Sequence, residues 1–60
     1  MTRKEFRSAL KEMVIISGAQ KVSKKRINQS MGLVARWSRV NGNGKVEWKA
    51  KYLLTALRTY

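Results

Sequence analysis

The hydrophobic periods along this chain predict an α+β fold in one small domain: a helix, a short second helix, a β-hairpin and a closing helix. Three observations carry that expectation. Apolar residues recur at helical spacing from Phe6 to Ile16. Period-two alternation flanks Asn41-Gly42-Asn43-Gly44, a sequence suited to a tight hairpin turn. Leu53, Leu57 and Tyr60 then return to helical spacing.

The first element opens on Thr2-Arg3-Lys4-Glu5, a capping box in which hydroxyl and carboxylate satisfy each other's backbone N–H. Phe6, Ala9, Leu10, Met13 and Val14 follow on one face, so a helix is expected over residues 2–16, with Gly18 as its stop. Ser23 is a good N-cap, and Ile27 and Met31 lie four apart. These predict a short helix over residues 24–31, ended by Gly32. Beyond it, Leu33, Ala35 and Trp37 alternate with Arg36 and Ser38. After the glycines, Val46, Trp48 and Ala50 alternate with Lys45, Glu47, Lys49 and Lys51. That pattern predicts strands over residues 33–40 and 45–51, with Trp37 opposite Trp48 on one buried face.

The same residues admit a second architecture. Ile27, Met31, Val34 and Trp37 also share a helix face, as do Trp48, Tyr52, Ala56 and Tyr60. One helix over residues 24–40, turned at Asn41-Gly42, would give an all-α three-helix bundle.

Charge bears most directly on function. Fourteen Lys and Arg stand against three Glu, a formal net charge of +11 in 60 residues. Such a charge repels itself in the compact state but suits a polyanion, whose condensed counterions it displaces. The chain has no Cys and no His, which removes disulfides and the usual zinc ligands. Glu5 belongs to the cap and Glu47 to a strand face, leaving Glu12 without a second carboxylate, a His base or a Cys nucleophile. A non-enzymatic protein without cofactor or metal is expected. No apolar run approaches the ~20 residues of a spanning helix, so the expected setting is the cytoplasm.

Lys21, Lys24, Lys25 and Arg26 form a basic block at the start of the second helix. Positive charge there opposes the helix dipole, so phosphate contact is its expected use. Asn28 and Gln29 follow; both can pair with adenine edges, and Arg26 with guanine. Arg36, Arg39 and Lys45 add cations on the expected hairpin. Trp37 and Trp48 are read as core residues.

The order helix, short helix, Gly32-Leu33-Val34-Ala35-Arg36, Gly-rich tip and Lys45-Val46-Glu47-Trp48 resembles the winged helix-turn-helix class of small DNA-binding proteins. The resemblance implies that Lys24, Arg26, Asn28 and Gln29 face the major groove, with Arg39 and Lys45 near the wing. It implies a small transcriptional regulator of the kind carried by phages and plasmids, acting on double-stranded DNA as a possible homodimer, with no membrane or small-molecule substrate. A different function class is an interaction protein that docks on an acidic protein surface or serves in phage assembly. RNA or single-stranded DNA is a third partner to be tested.

Overall fold

The computed structural model describes all 60 residues, and the local signals at the start of the chain act in it as the sequence predicts. Helix α1 (Arg3–Ile16) begins at the capping box. The Glu5 N–H donates to Thr2 Oγ1 at 3.1 Å, and the Thr2 N–H donates to Glu5 Oε1 at 2.9 Å. The hydrogen bonds from Thr2, the backbone one foremost, hold the Glu5 carboxyl below its ordinary pKa, because they favour the charged form. At the other end Gly18 takes a positive φ of 101°. The N–H groups of Gly18 and Ala19 donate to Ile15 and Val14 at 3.1 and 3.3 Å, the two bonds of a Schellman stop.

Helix α2 (Lys24–Asn41) is where the structure departs from the predicted α+β fold. Ser23 caps it as expected, accepting from the Arg26 N–H at 3.3 Å. The helix does not end at Gly32 but runs on to Asn41, through every residue of the predicted first strand. The predicted second strand, residues 45–51, has no strand structure either. The hairpin, and with it the winged-helix arrangement, is absent. The fold is the all-α alternative, three helices closed by α3 (Tyr52–Thr59).

Burial explains the outcome. Ile27, Ser30, Met31, Val34 and Ser38 form one buried stripe along α2, with the three-and-four spacing of a helix face. The alternating set that suggested a strand is scattered instead: Leu33 is exposed and Trp37 is 48% exposed. A lone two-stranded hairpin is marginal in water, whereas a continuous helix pairs its own backbone and buries the whole stripe. The Asn-Gly-Asn-Gly sequence works as a helix stop. Asn43 and Gly44 have φ values of 58° and 86°, and the Gly44 N–H donates to the Arg39 carbonyl at 2.9 Å. Left-handed residues serve a hairpin turn and a helix C-cap equally well. Gly42 is required for a different reason: a Cβ there would lie 2.8 Å from the Ser38 carbonyl and 2.9 Å from that of Lys45.

The core joins Phe6, Leu10 and Val14 of α1 to Ile27, Met31 and Val34 of α2 and to Tyr52 and Ala56 of α3. The irregular segment after α2 is pinned at two points. The Glu47 N–H donates to Ser38 Oγ at 3.3 Å, and the Trp48 ring packs on Phe6 with centroids 5.0 Å apart. The two tryptophans do not share a buried face. Trp37 meets Tyr52 edge-on, also at 5.0 Å, and keeps about half its surface in water. Tyr60 ties the end of the chain to the start of α2, its hydroxyl accepting from the Ser23 N–H at 2.9 Å. No helix is long and apolar enough to cross a membrane.

Candidate nucleic-acid interface

The buried stripe of α2 decides what the rest of that helix shows to solvent. With Ile27, Met31, Val34 and Ser38 turned inward, Lys25, Gln29, Gly32, Arg36 and Arg39 fall on the opposite face by the same spacing, and all are exposed. Lys24 and Asn28 flank that face on one side. Lys21 precedes the helix and Lys45 follows it, both exposed. The fold therefore gathers eight of the nine residues that the sequence singled out along one helix and its entry, with Lys45 just past the exit. Arg36, Arg39 and Lys45 are not on a wing: the first two belong to α2 itself, and Lys45 lies beyond its C-cap.

At 18 residues, α2 is about 27 Å long. It contains five cations and no carboxylate, and no acidic residue stands in its first turn. Lys24, Lys25 and Arg26, in that first turn, each cost about 0.3–1 kcal/mol against the helix dipole, whereas Arg39 in the last turn is favoured by it. None has an internal counter-ion, because the one ion pair of the protein, Lys49 Nζ to Glu47 Oε2 at 2.9 Å, lies outside α2. Within that pair the hydrogen bond holds the Glu47 carboxyl below and the Lys49 ammonium above their ordinary pKa values. Arg26 alone among the α2 cations has an intramolecular partner, its guanidinium lying 4.5 Å from the centre of the Tyr60 ring. That contact leaves Arg26 less free to reach a base than Lys24 or Lys25. Asn28 and Gln29 make no side-chain hydrogen bond within the protein and project into solvent on neighbouring edges of the face.

Elsewhere the cations are differently used. On α1, Arg7 and Lys11 are half-buried, so their stems cover the core. A cavity of about 560 Å³ between the end of α2 and the start of α3 is lined by Trp37, Asn41, Glu47, Lys49 and Tyr52, and it holds the ion pair already described. No group of three His, Asp, Glu or Cys side chains comes together anywhere.

Two features of the interface escaped the sequence reading. Gly32, expected to stop a helix, stands in the middle of the exposed face. The signal for it was the 27, 31, 34 and 38 spacing, which passes through position 32 without a break. Tyr60 was read only as a closing-helix residue; its clamp on Ser23 and Arg26 joins positions far apart in the chain and leaves no local trace. Comparison of the chain with protein-family models, with curated proteins and with solved structures finds no match.

Proposed function

We propose that this protein is a non-enzymatic binder of double-stranded DNA that presents the outer face of α2 to the duplex. The observation that carries the reading is the charge of that helix: five exposed cations, no carboxylate and no ion pair, with Lys25, Arg36 and Arg39 on the face opposite the core. All five repel one another in the compact fold, the three in the first turn also oppose the helix dipole, and a phosphate backbone relieves both. A helix with one face free suits the B-form major groove, about 12 Å wide. The deep, narrow major groove of A-form RNA does not admit one, which favours DNA. Asn28 and Arg39 are then the side chains offered to base edges, while Lys21, Lys24, Lys25 and Lys45 suit phosphates.

The test is a salt titration of affinity for a random-sequence duplex. With about five phosphate contacts, the slope of log K against log salt is expected near −4 to −5. A salt-independent affinity, or no binding at low salt, overturns the proposal.

A further inference from the structure

Gly32 has no explanation inside the protein. Its φ is not positive, so no backbone conformation calls for glycine. A Cβ at this position would meet no atom within 4 Å, so no packing calls for it either. Glycine in a helix interior is less stable than alanine. The chain therefore keeps a weakening residue at the centre of its most charged exposed face. Gly32 also lines a shallow cavity of about 410 Å³, together with Gln29, Leu33, Arg36 and Thr59. Gln29 lies about one turn before it and Arg36 about one turn after. Missing side-chain bulk beneath two hydrogen-bond donors makes a seat for something that must come close to the helix backbone.

We infer that this hollow seats one phosphodiester of the DNA backbone. Gly32 is the point of closest approach, the Arg36 guanidinium grips the phosphate oxygens through its planar fork, and the Gln29 amide donates from the other side. A methyl at position 32 would hold the phosphate off and lengthen both bonds. A second copy of the chain is a poor occupant, since Lys25, Arg36 and Arg39 would meet their own likenesses with no carboxylate on α2 to answer them. The assignment rests on the DNA-binding reading and deepens it to one contact.

The experiment compares the full chain with Gly32→Ala, by thermal melting and by titration against a random 20-base-pair duplex across a salt series. Alanine is expected to raise the melting temperature by several degrees, because it strengthens the helix. In the same protein the affinity at about 0.1 M salt falls about tenfold and the salt slope shrinks by about one, although no charge has changed. Arg36→Lys keeps the charge but loses the fork, and is expected to weaken binding several-fold with an unchanged melt. Wild-type affinity and slope in Gly32→Ala overturn the assignment while leaving the DNA-binding reading intact. No binding by the wild-type chain at low salt overturns both. Sedimentation showing that Gly32→Ala splits a wild-type dimer, with duplex affinity per chain unchanged, makes a second copy the occupant and also overturns it.

Discussion

Helices α1 and α2 start alike and then treat charge in opposite ways. Each begins at a side-chain hydroxyl, Thr2 or Ser23, that accepts from the N–H three residues on. Each buries one apolar stripe. In α1 the first turn sets Glu5, a carboxylate where the dipole favours one, beside the exposed Arg3 and Lys4, and Arg7 and Lys11 are drawn half into the structure. In α2 the first turn holds Lys24, Lys25 and Arg26, all exposed and all against the dipole. On α1 the capping box and the half-buried stems have a reading in terms of stability, while Arg3 and Lys4 stand against the dipole and the Arg7 Nε is buried without a partner. On α2 three first-turn cations stand against the dipole with no carboxylate anywhere on the helix to offset them, which is why the proposed interface lies there.

The largest effect expected along this contrast is on the inner side. Phe6 is fully buried and carries the Trp48 ring. Phe6→Ala is expected to cost about 3–5 kcal/mol, a large part of the total for a domain this small. Thermal circular dichroism should show the cooperative transition lost or shifted far down, with duplex binding lost along with the fold. A melt within a few degrees of wild type would show that α1 is not integral to the core.

A sharper comparison uses two matched positions. Lys4 and Lys25 are each the second residue of their helix and both are exposed. Lys4→Glu and Lys25→Glu should each gain about 0.3–1 kcal/mol of stability, because a carboxylate now faces the dipole. Only Lys25→Glu should weaken duplex binding, by about tenfold or more at 0.1 M salt, with a shallower salt slope. Equal losses in the two variants would spread the interface over both helices.

Effects confined to stability separate two serines buried on the same side of α2. Ser38 Oγ donates to the Ala35 carbonyl at 3.2 Å and accepts from the Glu47 N–H. Ser30 Oγ is buried with no partner. Ser38→Ala is expected to cost about 1–2 kcal/mol, since it leaves the Glu47 N–H unpaired. Ser30→Ala should instead add about 1 kcal/mol, by removing an unsatisfied hydroxyl in favour of a better helix former. Opposite shifts in the urea midpoint, at constant slope, would establish the difference.

Legibility in the sequence followed the range of the interactions. The capping box, the Gly18 stop and the Ser23 cap were readable because each is made within a few residues of chain. The basic block from Lys21 to Arg26 and the polar pair Asn28 and Gln29 were readable as a candidate surface for the same reason. What lies between Gly32 and Lys51 was misread, because its local signals fit two structures. Alternation over residues 33–40 overlies a helical stripe at positions 27, 31, 34 and 38, and asparagine with glycine can turn a hairpin or end a helix. No local rule chooses between them.

Composition and short-range chemistry thus determined, without any structure, that this is a polycationic chain whose first helix starts after Thr2 and whose second starts after Ser23. Tertiary structure alone decided that residues 33–41 are helix, because only the shared core that takes in Val34 and the segment that bonds Ser38 reward burying the two together. It also decided where the charges point. Arg36 and Arg39 came to lie on the same face as Lys25 and Gln29 only once the helix continued through Gly32. A continuous helix repeats its face every three to four residues, whereas a break at Gly32 would have sent them elsewhere.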